Sequence, residues 1–282
     1  MQSMKIHAIQ TGTVQIKQNQ IIGKGSGAQR LVNVLFGREW VEPPVPIYAW
    51  VIEHKEGVIV VDTGETARTS EPGYFPRWHP YYNLAVRFHV KPEEEIGVQL
   101  KQMGIDSNDV TRVILTHLHT DHAGRLHDFP HSTIHVNMPE YQRAHGFRGQ
   151  IDGYLLHRMP NWFSPQPIEF DSGKVGTFEG SWNVTTTGDV KVVPTPGHTP
   201  AHVSVLVTLE DINYFLAGDT SYTEENLLRK IPDGVSPDPN QAVNTMQNIL
   251  DFARERPTIY LPSHDPNSEL RLKNKATLLV NE

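Results

Sequence analysis

The 282-residue chain contains no cysteine, which removes disulfides, thiolate metal ligands and thiol nucleophiles from consideration. It also lacks any run near the roughly 18 unbroken apolar residues that a membrane helix needs, so no membrane association is expected. Basic residues are outnumbered, 25 Lys and Arg against 32 Asp and Glu, and the net charge is −7. A nucleic-acid partner, which requires a basic surface, is therefore not expected. The opening Met1-Gln2-Ser3-Met4-Lys5 leads straight into a strand-like run without the apolar centre of a signal peptide, so the expectation is a cytoplasmic protein. Apolar residues make up 38% of the chain, enough for a substantial core. No repeat, low-complexity run or linker divides it, and residues 1–282 are read as one domain.

What the chain does have is histidine, concentrated in Thr116-His117-Leu118-His119-Thr120-Asp121-His122-Ala123-Gly124. Val110 to Leu115 reads as a buried strand, and this polar run begins where that strand ends. His117 and His119 share a face because side chains two apart in extended backbone point the same way. Asp121 and His122 then come from the turn and the first turn of a helix. Three imidazoles and a carboxylate in six positions are hard to place in a core without a cation. Two pairs of ligands, one behind the other, suit two metal ions, and neutral imidazole with carboxylate favours zinc or another first-row divalent ion.

Similar strand ends recur downstream. Val190 to Val193 leads into Pro194-Thr195-Pro196-Gly197-His198, Tyr214 to Ala217 closes on Gly218-Asp219, and Thr258 to Leu261 ends in Pro262-Ser263-His264-Asp265. Upstream, Tyr48 to Glu53 and Val58 to Val61 read as a hairpin whose second strand ends in Asp62-Thr63-Gly64, with Asp62 a candidate support for the ligands. Helices are expected over Pro92 to Met103 and Gln241 to Arg254, the latter from Val243, Met246, Ile249, Leu250 and Ala253 at helical spacing. Residues 65 to 90 carry Tyr74, Phe75, Trp78, Tyr81, Tyr82 and Phe88 without a clear period, as an irregular segment lining a pocket or covering the core edge. The predicted architecture is α+β, an αββα sandwich of two mixed β-sheets packed face to face with helices on the outer faces. Functional residues at strand ends on such a rigid frame are a natural way to hold a site.

Taken together, these residues resemble the metallo-β-lactamase superfamily. Its H-x-H-x-D-H motif corresponds to His117 to His122, and its downstream ligands match His198, Asp219 and His264. Within the superfamily, Asp219-Thr220-Ser221-Tyr222-Thr223-x-Glu225-Asn226 and Ser263-His264-Asp265 are similar to the quorum-quenching N-acyl-homoserine lactonases, in which a tyrosine three residues past the bridging Asp contacts the lactone. Thr120 and the long aromatic segment depart from that pattern; some members carry an aromatic residue at the first position. The resemblance implies two divalent ions, zinc or alternatively Co, Mn or Fe. His117, His119 and His198 would hold one, Asp121, His122 and His264 the other, with Asp219 bridging.

The implied reaction is opening of a lactone ring, most simply of an N-acyl-homoserine lactone, by a hydroxide shared between the metals. Tyr222 would donate to the carbonyl oxygen where charge develops, and Asp121 would shuttle the proton to the leaving alkoxide. The alternatives are an esterase, organophosphate hydrolase or thioesterase on the same metals, or a non-enzymatic lactone sensor. Redox diiron relatives replace one histidine and append a flavin domain, and neither feature occurs here. His202, four residues after a ligand, is expected to support the site rather than ligate. His7, His54, His79, His89, His127, His131, His135, His145 and His157 are expected to be ordinary surface or core residues. Trp78 to Tyr82 is a candidate homodimer contact.

Overall fold

The computed structural model describes residues 4–280. Its strands are β1 (Lys5–Ile16), β2 (Val45–His54), β3 (Gly57–Val61), β4 (Val86–His89), β5 (Val110–Ile114), β6 (Thr133–Val136), β7 (Gln166–Pro167), β8 (Trp182–Asn183), β9 (Val190–Pro194), β10 (Val203–Leu209), β11 (Ile212–Gly218) and β12 (Thr258–Pro262). They form a seven-stranded sheet in the order β4-β1-β2-β3-β5-β6-β7 and a five-stranded sheet in the order β12-β11-β10-β9-β8. Both are mixed. β3, β5, β6 and β7 run parallel while β1, β2 and β4 pair antiparallel, and in the smaller sheet only β11 and β12 are parallel.

The near-continuous apolar character of the central strands follows from burial on both faces. In β2, Tyr48, Trp50 and Ile52 point into the layer between the sheets, while Ala49 and Val51 join Ile96, Leu100, Leu126 and Phe129 under the outer helices. In the smaller sheet, Val203, Val205, Val207, Leu216, Ile259 and Leu261 face the larger one. The alternate residues Leu206, Phe215 and Tyr260 pack against Met246, Ile249, Leu250 and Phe252 of the helix Pro239–Glu255. That helix starts where Asp238 accepts from the backbone N–H groups of Asn240 and Gln241, with Pro239 at its first position. The layers are thus helix, sheet, sheet, helix, as the sequence pattern implied.

Two local expectations need correction. The helix expected over Pro92 to Met103 is a 3₁₀ turn, Pro92–Glu94, followed by a helix over Ile96–Gln102. Glu95 is extended between them because its carboxylate is committed elsewhere: it accepts from Thr66 Oγ1 and from the Ala67 N–H, both at 2.9 Å, and pairs with Arg125 at 3.2 Å. The aromatic segment contains an edge strand, β4, which the sequence pattern had not suggested; its register comes from β1 across the sheet. Between β1 and β2 lie the helices Gln18–Ile21 and Ala28–Phe36.

Truncating the layer between the sheets should be costly. Ile52→Ala, at a fully buried position, is expected to lower stability by about 2–5 kcal/mol. Leu279→Ala, at a position 80% exposed, should stay within about 0.5 kcal/mol. Denaturant midpoints of the two variants check the contrast.

Candidate metal centre

Every residue of the site stands just past a strand end on one side of the sandwich. β5 feeds His117, His119 and, on the short helix Thr120–Ala123, Asp121 and His122. β9 feeds His198, β11 feeds Asp219 and β12 feeds His264. Gly218 makes the last turn of β11 workable: its φ is +56°, and a Cβ there would meet His202 Nε2 at 2.7 Å and Thr116 Cβ at 2.9 Å. Asp62, at the end of β3, is a non-glycine residue held at φ +58°, a conformation kept only where the surroundings enforce it.

The ligand atoms converge. His117 Nε2 lies 3.0 Å from His119 Nδ1, which lies 3.0 Å from His198 Nε2. The carboxylate of Asp219 stands between two groups, with Oδ2 3.4 Å from His198 Nε2 and Oδ1 3.2 Å from His122 Nε2 and 3.4 Å from His264 Nε2. Asp121 Oδ2 closes the second group at 3.5 Å from His264 Nε2. Three sets emerge in which all ligand atoms lie within 4.8 Å of one another: His117, His119 and His198; His117, His122 and Asp219; Asp121, His122 and His264. The structure therefore brings together all seven side chains singled out in the sequence.

Hydrogen bonds behind these side chains fix which ring nitrogen faces inward. His122 Nδ1 bonds Asp62 Oδ2 at 2.8 Å, His198 Nδ1 bonds Asp233 Oδ2 at 3.0 Å, and His264 Nδ1 bonds the Pro46 carbonyl at 2.8 Å. His117 Nδ1 meets Thr116 Oγ1 at 3.1 Å, whose own hydrogen goes to Asp62. With Nδ1–H donated outward, the neutral ring of each presents an Nε2 lone pair toward the others. Lone pairs this close repel unless something positive lies among them. His122 Nε2 and Asp219 Oδ1 are buried without a hydrogen-bond partner; their 3.2 Å approach is not aligned as a hydrogen bond. A donor set of imidazoles and carboxylates with inward, unsatisfied atoms fits divalent cations.

The electrostatics agree. Burial opposes a charged imidazole at His198, yet Asp233 and Asp219 outweigh it and push its pKa up to about 8. At His122 burial is likewise overcome, by Asp219, Asp62 and Asp121, and the pKa stands well above its ordinary value. His117, by contrast, is held neutral by burial and by the neighbouring imidazoles, as is His119, pushed down to about 3. The carboxylates thus create a field that favours positive charge at His122 and His198, a charge that a bound cation would supply in place of their protons, while His117 and His119 stay neutral. His202 uses both nitrogens structurally: Nε2 accepts from the Asp219 N–H at 3.1 Å and Nδ1 meets Thr195 Oγ1 at 2.9 Å, so it steadies Asp219 and does not ligate.

Beside the cluster lies a cavity of about 190 Å³, reached by His119, Asp121, His198, Asp219 and His264. Tyr222 forms part of its wall, its ring stacked on His264 at 5.3 Å. Burial, reinforced by Asp219, raises the Tyr222 pKa well above its ordinary value and keeps the phenol protonated. His79 also lines the cavity, buried, with its Nε2 donating to the Gln150 carbonyl at 2.8 Å. Asp233, Glu140 and Gln20 were missed. Glu140 accepts from the Leu118 N–H and from Thr199 Oγ1, tying together the loops that carry His117, His119 and His198. None of the three had a signal pointing to the site, since the site residues they bond stand 22 to 202 residues away.

Comparison with known proteins places these features among relatives. The family model described as the metallo-beta-lactamase superfamily matches residues 43–264. The N-acyl homoserine lactonase AttM of Rhizobium radiobacter is 27% identical over 285 residues, covering 97% of each chain. The N-acyl homoserine lactonase AiiA of Bacillus thuringiensis subsp. kurstaki is 28% identical over 228 residues, 80% of this chain and 83% of that one. Among solved structures, an N-acyl homoserine lactone hydrolase with the product N-hexanoyl-L-homoserine at its catalytic metal centre superposes with a TM-score of 0.73 at 22% identity, covering 100% of this chain and 99% of that one.

Removing the central carboxylate should empty the site. Asp219→Ala is expected to lose bound metal, measured by elemental analysis, while circular dichroism remains native; retention of two ions per chain would remove Asp219 from a bridging role. Asp62→Asn, which weakens the grip on His122, should lower metal affinity by roughly 10–100-fold. A chelator titration reads that difference.

Proposed function

We propose that this chain, which belongs to the metallo-beta-lactamase superfamily, is a dinuclear metal-dependent hydrolase that opens the ring of N-acyl-homoserine lactones. His117, His119 and His198 form one ligand group and Asp121, His122 and His264 the other, with Asp219 common to both. Zinc suits a set so rich in imidazole, and a cavity lined by Tyr222 over the cluster suits a small ester. The observation that carries the reading is the convergence of a two-group ligand cluster and a buried, protonated phenol on one cavity.

Bound there, a pair of divalent cations supplies an activated water at neutral pH and an electrophile for a carbonyl oxygen. The chain's own residues do the rest. The Tyr222 hydroxyl donates to the ring carbonyl oxygen, meeting the negative charge that develops as the carbon becomes tetrahedral. Asp121, whose side chain is 15% exposed at the cavity against 4% for Asp219, is the more accessible of the two central carboxylates. It takes the proton released by the attacking water and returns it to the ring oxygen as the C–O bond breaks. Water and lactone thus yield an N-acyl homoserine, with the hydroxyl on the former ring oxygen. Apolar cavity walls at Val14, Ile16 and Phe88 offer the acyl chain a place out of water.

The test is a panel of lactones, aryl esters and phosphotriesters, assayed with metal-reconstituted protein and compared as kcat/KM. Homoserine lactones are expected to lead; a preparation stripped of metal yet folded and fully active would sink the proposal. Tyr222→Phe should cut turnover on the order of 10²-fold with metal content intact, as loss of a single charge-stabilising donor does. Unchanged turnover would take Tyr222 out of the reaction.

A further inference from the structure

The helix Gln18–Ile21 carries one buried amide to the wall of the cavity. Gln20 is 3% exposed, and its Nε2 donates to two phenols at once, to the Tyr222 hydroxyl at 2.6 Å and to the Tyr81 hydroxyl at 2.8 Å. Tyr81 and Tyr222 both line the cavity, and among the described residues neither hydroxyl donates to a protein acceptor. The amide fills an acceptor position on each oxygen and leaves each phenol hydrogen available to a ligand. Turning the amide over would spend both phenol hydrogens on its oxygen. It would also bury two N–H hydrogens where a single oxygen now lacks a partner, which is the costlier arrangement.

We propose that Gln20 holds Tyr81 and Tyr222 as a matched pair of donors, and that Tyr81 selects lactones carrying an N-acyl amide next to the ring carbonyl. The inference rests on the reading of Tyr222 as donor to that carbonyl. In an N-acylated amino lactone the acyl carbonyl is separated from the ring carbonyl only by the α-carbon and the amide nitrogen. Two acceptors a few bonds apart match two donors held on one nitrogen. A plain γ-lactone with an alkyl tail offers the first acceptor and nothing for the second. Discrimination built on a hydrogen bond exceeds what an apolar pocket achieves, because the unmatched donor is left without a partner. Gln20 itself is a positioning residue, acting through the two phenols.

The experiment compares kcat/KM of the metal-loaded protein for an N-acyl homoserine lactone and for a γ-alkyl lactone of similar length. Tyr81→Phe should lower the first by roughly threefold to tenfold, mainly through KM, and leave the second within about a factor of two. Gln20→Glu keeps the shape of the side chain but offers oxygens that capture both phenol hydrogens. It should lower turnover on both substrates and also erase the preference between them, with metal content at the wild-type value. A role in packing alone predicts an unchanged ratio between the substrates for that near-isosteric change. If Tyr81→Phe and Gln20→Glu both leave the substrate ratio unchanged while Tyr222→Phe still impairs both substrates, the inference is overturned and the proposed lactonase stands. If Tyr222→Phe has no effect, the reading beneath fails and this inference fails with it.

Discussion

The structure is governed by the need to neutralise inward-facing lone pairs and carboxylates packed into one small volume. Imidazole nitrogens 3.0 Å apart and a carboxylate shared between two groups of them are not all satisfied by one another: His122 Nε2 and Asp219 Oδ1 have no hydrogen-bond partner. The surrounding protein sharpens this, because the outward nitrogens of His117, His122, His198 and His264 each have a partner that turns the other nitrogen inward. Asp62, Asp233, Thr116 and the Pro46 carbonyl are as much part of the centre as the side chains they orient.

Such crowding is tolerable because the frame beneath it is rigid. The clustered side chains hang from the ends of strands buried on both faces, where side-chain interdigitation between the sheets leaves the backbone little freedom. Strain is accepted at the points of emergence, in the left-handed Asp62 and in a glycine that admits no Cβ beside His202. Support then crosses the sandwich: Glu140 joins the loops after β5 and β9, and His202 at the start of β10 receives the Asp219 N–H.

The cavity shows a division of labour between metal-facing and substrate-facing surfaces. The cluster lies on one side, and on the other are apolar side chains from β1 and β4 with the phenols that Gln20 organises. The aromatic segment that had no readable period thus has a purpose in three dimensions: Tyr81, Tyr82 and Phe88 line the cavity, and β4 completes the edge of the larger sheet. Its irregular spacing reflects contacts with distant partners, such as the Tyr82 hydroxyl donating to the Gly153 carbonyl at 2.6 Å.

The sequence alone determined the parts that depend on local order. Runs of alternating or continuous apolar residues marked the central strands, and His117 to His122 stood out because its imidazoles and carboxylate are neighbours along the chain. His198, Asp219 and His264 were legible because each follows an apolar strand, and strand ends in a packed sandwich have few places to point. Only the tertiary structure decided the rest. Which nitrogen of each imidazole turns inward, which acids stand behind them, and that Gln20 reaches Tyr222 across 202 positions of chain are all consequences of packing distant segments together. Those bonds leave no mark on local periodicity, because a hydrogen bond between two side chains constrains their meeting point in space and nothing about their separation in sequence.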